Sequence, residues 1–285
     1  MKKINKNKKA KKKIDMSYSQ TKSFPAMMIV KTALLGAFML IFFGSITAQG
    51  ASDVATPPKA NWSFKGPFGV FKRDQLQRGF QVYKEVCAVC HGLDLVRYDK
   101  LAALGFSEEE IKAIAGEYEV PGPLNEDGEP TTIKATPGDA FANPYPNSNA
   151  ARAANNGSFP PDLSLMSKAR ANGADYIRAI LTGYEAAPDD FGLMDGMYYN
   201  RYFSGKQIAM SPPLADNQVD YSDGTPATIE HMSEDVSAFL AWAAEPELEI
   251  RRNLGVKVMI FLSFFTLLMY CLMRRTWRKI KYTKK

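Results

Sequence analysis

Cys87-Ala88-Val89-Cys90-His91 limits what this chain can become more than any other stretch. Two cysteines three apart, followed at once by histidine, form the attachment signature of a c-type haem. The spacing has a chemical reason: each thiol can add to one porphyrin vinyl group, and the next residue then carries an imidazole to the iron. A bare C-x-x-C would be shared with zinc sites and redox dithiols. Zinc needs two further soft ligands, yet the only other cysteine is Cys271 and the only other histidine is His231. The pentapeptide therefore predicts one covalent haem c on Cys87 and Cys90, with His91 as an axial ligand of its iron.

The net charge of +6 conceals a segregation. Residues 1–50 hold ten Lys/Arg and one acid, and residues 251–285 hold ten Lys/Arg and no acid. Residues 51–250 are left with sixteen basic and twenty-nine acidic side chains, a net of −13. That division excludes a nucleic-acid partner for the working domain. An acidic domain suits a basic macromolecular partner instead.

Both ends read as membrane-directed. Residues 1–31 are a Lys-rich, Arg-free leader, and Thr32 to Ile46 follow as fifteen uncharged residues. Thr47-Ala48-Gln49-Gly50-Ala51 then supplies small residues. This order predicts a secretory signal peptide of bacterial type, cleaved near residues 48–51. The apolar run is shorter than the ~20 residues a spanning helix needs. Met16 and Met27 are alternative starts. Toward the other end, Leu254 to Met273 is twenty residues with Lys257 as the sole charge, a match to the bilayer core. Arg274, Arg275, Arg278, Lys279, Lys281, Lys284 and Lys285 follow, and the positive-inside rule puts such a tail in the cytoplasm. The expected division is a signal peptide over 1–50, a periplasmic cytochrome domain over 51–250, an anchor helix over 251–275 and a basic cytoplasmic tail over 276–285. The protein is then single-pass in a bacterial inner membrane.

Between the ends the periodicity is mainly helical, with long loops and little sheet. Leu76, Phe80 and Tyr83 recur at helical spacing behind Asp74, an expected N-cap, and this helix runs into the haem motif. Ser107-Glu108-Glu109-Glu110 predicts a capping box and a helix to about Glu117. Residues 119–146 read as one long loop, and Ser148–Asn155, Asp162–Ala171 and Ala174–Leu181 as short helices. Asp195-Gly196 between apolar residues signals a hairpin within 193–198. Ser233 is expected to cap a last helix that ends near Glu245-Pro246.

An electron-carrying haem iron takes a second strong ligand. The residues offer His231, which also reads as a surface or capping histidine, and several methionines. Met210 stands out because Gly205-Lys206-Gln207-Ile208-Ala209-Met210-Ser211-Pro212-Pro213 is a glycine- and proline-bounded loop that can hold a thioether still. Met166, Met194, Met197 and Met232 read as packing residues. On spacing alone, His231 and Met210 both stay open.

With these residues in place the sequence resembles the cytochrome c1 family, the haem-bearing subunits of quinol–cytochrome c oxidoreductase (bc1) complexes. The likeness covers most of the chain. It is carried by Arg78-Gly79-Phe80-Gln81-Val82-Tyr83 before the haem motif, and by Pro144-Tyr145-Pro146-Asn147 and Ala150-Ala151-Arg152-Ala153-Ala154-Asn155-Asn156-Gly157. It continues in Pro160-Pro161-Asp162-Leu163-Ser164, Leu181-Thr182-Gly183-Tyr184, Asp223-Gly224-Thr225-Pro226-Ala227-Thr228 and Glu245-Pro246-Glu247. The resemblance implies Met210 as sixth ligand, hence His/Met ligation, which raises a haem potential. It further implies Arg170 and Tyr176 at a haem propionate, and Asn155, Pro160, Pro161 and Ile208 near the haem. The implied fold is a mainly α c-type cytochrome domain with a short β-hairpin and one C-terminal transmembrane helix. The implied partners are cytochrome b, a Rieske iron–sulfur protein and a basic cytochrome c, in a dimeric complex. Electrons would pass from the Rieske protein to cytochrome c, with no substrate bond broken at this haem. A stand-alone anchored cytochrome is the alternative, and an open-site haem enzyme or gas sensor belongs to a different class.

Overall fold

The computed structural model describes residues 54–282, with side chains to residue 278. The leader, the Thr32–Ile46 run, Met16, Met27 and the expected cleavage region all lie outside the described residues. Leu76, Gly79, Phe80, Val82 and Tyr83 share one face, and burying that face makes Arg73–Glu85 a helix, α1. Its N-cap is Lys72, with no side-chain capping bond. Asp74 therefore does not cap. It stands inside the first turn, where a carboxylate meets the positive end of the helix dipole and pairs with Arg78 one turn on at 3.9 Å.

Two short 3-10 stretches, Cys87–Val89 and Tyr98–Leu104, follow α1. α2 (Glu108–Gly116) opens on the expected capping box: Glu110 N donates to Ser107 Oγ at 3.2 Å, and Ser107 N donates to Glu110 Oε2 at 2.7 Å. The 119–146 segment departs from the expected bare loop. β1 (Glu119–Pro121) and β2 (Thr132–Lys134) pair antiparallel within it, and Asn125 Oδ1 closes the tip by accepting from Asp127 N and Glu129 N. Asn147 caps α3 (Ser148–Ala154) through Asn149 N and Ala150 N.

The helix expected over Asp162–Ala171 is only α4 (Met166–Ala169), because the backbone and side chains of 161–164 are bonded to residues 91–95 instead. α5 (Ala174–Thr182) forms as expected. Asp195-Gly196 does make a turn, with Met197 N donating to Met194 O at 3.1 Å. It does not make the hairpin, since Leu193 and Met194 find no core and stay 40% and 56% exposed. The hairpin lies further on, with β3 (Tyr198–Tyr199) against β4 (Gln207–Ile208) in the register Tyr198↔Ile208.

α6 (Ile229–Ala244) is the axle of the domain. Its N-cap is Thr228, which accepts from His231 N at 3.2 Å. Ser233 instead sits inside the helix and donates back to Glu230 O at 2.8 Å, the local bond a mid-helix serine can make. Met232, Val236, Phe239, Leu240 and Trp242 are all buried, with α1 against one side and α4 and α5 against others. α1 comes so close that a Cβ on Gly79 would collide with the Asp235 carbonyl and Phe239. Beside that crossing, Arg78 donates to Asp235 Oδ2 and Asp223 Oδ2, both at 2.8 Å. Phe239 contacts Phe80, Tyr83 and Trp242 at ring-centroid distances of 5.8, 5.7 and 5.7 Å.

α7 (Leu248–Tyr282) begins after a short break at Glu245-Pro246. It is long and apolar enough to cross a bilayer, and its most apolar window is not buried against the protein. Its first turns grip the domain: Glu249 Oε1 accepts from Phe71 N at 2.7 Å and Glu249 Oε2 pairs with Arg73 at 2.6 Å. The described chain is thus mainly helical, with two two-stranded sheets.

Two outcomes follow from the α1–α6 crossing. Gly79→Ala forces the helices apart and is expected to cost about 1–3 kcal/mol, as overpacking does, read from the denaturant midpoint in detergent. Asp223 is held down to about 2, from 3.8, by bonds from Thr225 and Arg78. A lowered folded pKa means its contribution is complete above the unfolded value and fades as pH falls from about 4 toward 2. The stability gap between wild type and Asp223→Asn should be present near neutral pH and close through that window.

Candidate functional site

The C-terminal end of α1 delivers the Cys87–His91 turn. Cys90 N and His91 N both donate to Cys87 O, at 3.1 and 2.9 Å, so both thiols and the imidazole leave one tight bend. Tyr83 Oη donates to His91 O at 3.2 Å, tying the bend to the aromatic core. Cys87 and Cys90 are half-buried and not joined to each other. Burial, with Cys90 alongside, pushes the Cys87 thiol up to about 12 and keeps it uncharged.

His91 has a defined tautomer. Burial lowers its pKa below 6.5 despite the Pro161 carbonyl and Asp162 nearby, so the ring is neutral. Its Nδ1 lies 2.7 Å from Pro161 O. A carbonyl can only accept, so Nδ1 carries the proton and Nε2 keeps a lone pair free for a metal.

That bond is the first of a zipper between residues 91–95 and 161–164. Leu163 N donates to Gly92 O at 3.0 Å, Asp94 N to Asp162 Oδ2 at 2.8 Å, and Leu95 N to Ser164 Oγ at 3.0 Å. Asp162 Oδ1 also accepts from Ser164 N at 2.9 Å, which bends the 161–164 segment into shape. A Cβ on Gly92 would strike the side-chain oxygens of Asn143 and Asp94, which would have to move aside for any other residue there.

Met210 is held from a different side. It is half-buried just beyond β4, and its carbonyl accepts from Tyr184 Oη at 3.0 Å. Tyr184 bridges to Asn200, a fully buried side chain whose Nδ2 donates to Ile180 O at 2.8 Å. Arg201 N donates to Gly183 O at 3.3 Å, and Gly183 has no room for a Cβ against Tyr202 and Asn200. The Leu181-Thr182-Gly183-Tyr184 stretch is therefore the bracket for β4 and the bend at Met210 that follows it.

Of the other expected site residues Pro161 belongs to the zipper; the rest are spread over separate segments, and among the described residues no hydrogen bond joins them to it. Asn155 ends α3 and donates to Tyr145 Oη at 3.0 Å and Ala151 O at 2.7 Å. Arg170 is exposed just after α4; its guanidinium donates to Ala169 O at 3.4 Å and has no carboxylate partner among the described residues. Tyr176 is half-buried in the first turn of α5, Ile208 is half-buried in β4, and Pro160 is half-buried beside exposed Pro161. His231 is exposed at the start of α6, with Nδ1 2.9 Å from Pro226 O. Asp162, Ser164 and Tyr184 were not singled out by residue type. An Asp-x-Ser after two prolines is the signal that marks the first two, since it forms a local side-chain turn.

The residues fit a porphyrin. Two unjoined thiols on one bend suit a pair of vinyl groups, and the neutral imidazole beside them, with a free Nε2, suits an iron. Val89, Leu95, Phe159 and Leu165 flank the zipper and are 65%, 68%, 48% and 47% exposed, an apolar surface for a large flat ligand to cover.

A mainly helical domain organised around this turn, with one long apolar C-terminal helix, defines a cytochrome-type domain. Residues 62–280 match the family model described as the Cytochrome C1 family. Over 270 residues the chain is 43% identical to "Cytochrome c1" of Rhodospirillum rubrum, covering 89% of this chain and 99% of that protein. It is 41% identical over 273 residues to "Cytochrome b-c1 complex catalytic subunit, mitochondrial" of Candida albicans, covering 94% of each. It is 43% identical over 248 residues to "Cytochrome c1, heme protein, mitochondrial" of Saccharomyces cerevisiae, covering 86% of this chain and 80% of that one. The chain belongs to the cytochrome c1 family.

Tyr184→Phe deletes the bond to the Met210 carbonyl and is expected to cost about 1 kcal/mol. The loss should register as faster hydrogen exchange at Gln207 and Ile208, with α1 and α6 unchanged.

Proposed function

We propose that this chain is the haem-bearing electron-transfer subunit of a quinol–cytochrome c oxidoreductase. It takes one electron from a Rieske iron–sulfur protein and passes it to a basic cytochrome c. The observation that carries this reading is the His91 Nδ1–Pro161 O bond, which leaves Nε2 free for an iron, beside two unjoined thiols free to fasten a porphyrin. When bound, a haem supplies a one-electron Fe(III)/Fe(II) couple.

The chain's own residues do the rest. Cys87 and Cys90 fasten the porphyrin through thioether bonds, so it cannot dissociate with a change of oxidation state. Pro161 holds the His91 ring in one tautomer and one orientation, which keeps Nε2 available in both states. Met210, whose carbonyl Tyr184 steadies, would hold the iron through its thioether and would raise the potential relative to a harder ligand. Arg170, which no described carboxylate engages, and Tyr176 take a propionate. A guanidinium fork suits a carboxylate. Asn155, Pro160 and Ile208 line the pocket. No general acid or base is required, because no substrate bond changes.

The long apolar α7 and the segregated charge support a membrane setting for this reading. Residues 1–50 act as a signal peptide, 251–275 span the inner membrane and 276–285 stay cytoplasmic, leaving residues 51–250 in the periplasm. There the subunit assembles with cytochrome b and the Rieske protein in a dimeric complex. Glu108 to Glu110, Glu126 to Glu129 and Asp189 with Asp190 are exposed and steer the basic cytochrome c.

Redox titration of Met210→Leu is the direct test. The midpoint should fall by on the order of 0.1 V or more, within the ~0.8 V that axial ligands span, and the reduced protein should gain carbon monoxide binding. An unchanged spectrum and midpoint would move the ligand elsewhere. The association rate with cytochrome c should drop steeply with ionic strength, and a flat response would remove the steering role.

A further inference from the structure

Trp62-Ser63-Phe64-Lys65-Gly66-Pro67-Phe68-Gly69-Val70-Phe71-Lys72 is a loop with an apolar tip and a lysine on each flank. The loop is built rather than frayed. Lys65 N donates to Trp62 O and Val70 N to Ser63 O, both at 3.1 Å. Gly66 has φ of +81°, and Gly69 packs on the Phe64 and Lys65 backbone with no space for a Cβ. At its base Asp175 accepts from Ala60 N, Trp62 Nε1 and Lys65 Nζ at 2.9, 2.6 and 2.8 Å. Phe64 stacks on both Trp62 and Phe71, at 5.5 and 4.7 Å. Yet Phe68 at the tip is 81% exposed and Val70 57%. Holding an aromatic ring in water forgoes the stabilisation of burial, which a covering phase would recover.

The position of the loop indicates that phase. Arg252 of α7 donates from Nη1 to both Phe64 O and Gly69 O at 2.8 Å, and Glu249 holds Phe71 N and Arg73. Arg252 precedes Leu254, the start of the apolar run, by two residues, a rise of ~3 Å along the helix. Phe68 is one residue, ~3.8 Å, from the clamped Gly69. The polar layer on each side of a bilayer is ~5–7 Å deep. A helix that enters hydrocarbon at Leu254 therefore carries this loop at headgroup level. Lys72 is exposed there, a cation suited to lipid phosphates.

We propose that residues 66–70 form a foot that rests in the lipid interface, with Phe68 and Val70 inserted among the upper acyl chains. The foot gives the domain a second hold on the bilayer and fixes its tilt over the anchor. It does not depend on the haem assignment. It depends only on α7 being the membrane anchor.

The test uses Phe68→Trp in the full-length chain, within the complex it purifies in. That complex is reconstituted into phosphatidylcholine–phosphatidylglycerol vesicles, and the emission added over wild type is measured. Lipid brominated near the ester end of its chains should lower that emission by about half, as for an interfacial aromatic residue, while aqueous iodide should have little effect. Quenching by iodide but not by brominated lipid would put the tip in water and overturn the foot. Resistance to both would show a protein partner covering it, and would overturn it equally. Phe265→Trp, in the middle of α7, is the companion. If lipid brominated near the chain ends fails to quench it, the anchor itself is wrong, which separates that failure from failure of the loop.

Discussion

The hydrogen bond from His91 Nδ1 to the Pro161 carbonyl is the contact on which the site depends. It joins two segments seventy residues apart and leaves one nitrogen of one ring available. The bond is only as good as the positions of its two ends. On one side Tyr83 holds the His91 carbonyl and is itself packed on Phe239 and Phe141. On the other, Asp162 and Ser164 bind the backbone of Asp94 and Leu95, so the 161–164 segment cannot slide past its partner. A lone imidazole–carbonyl contact of this kind is worth about 1 kcal/mol, too little to fix a ring by itself. The zipper makes it part of a cooperative unit.

α6 explains how one short turn can be so well placed. It touches α1 on one face and α4 and α5 on others, so the Cys87–His91 arm and the Met210 arm are both referred to the same helix. The arms differ in construction. The first is built into the aromatic core, whereas the second hangs from Tyr184, Asn200 and a two-residue hairpin. The weaker arm is the one that carries the proposed second ligand, and its stiffness rests on two polar side chains rather than on burial. Buried Asn200 is accordingly the side chain there least open to substitution, since its replacement would leave the Ile180 carbonyl without a donor.

Much of this was legible in the sequence. The C-x-x-C-H turn, the α2 capping box, the extents of α3 and α5 and the long apolar helix follow from local spacing, which governs helices and turns directly. The misreadings share a cause. Asp74 and Ser233 are the right residue types for N-caps, but Lys72 and Thr228 begin their helices because tertiary packing sets where each chain segment first meets the core. Asp162 is a helix-opening residue type, yet its carboxylate serves the turn at Asp94, 68 residues earlier, and no local pattern reveals such a partner. Asp195-Gly196 turns the chain as its chemistry dictates, but a turn makes a hairpin only when both flanks have something to pair with. Tyr184 was visible only as part of a family motif. Its task, holding a carbonyl twenty-six residues on, belongs to the fold rather than to the sequence around it.

The central claim is that Cys87 and Cys90 fasten a haem covalently to this chain. Acid–acetone extraction of the purified full-length protein tests it most directly. The haem absorbance should stay with the polypeptide, and the mass of the chain should exceed that of the bare sequence by one haem. In a Cys87→Ala, Cys90→Ala double variant that retention should be lost. Haem released into the solvent from the wild-type chain, or an unmodified polypeptide mass, would contradict the claim.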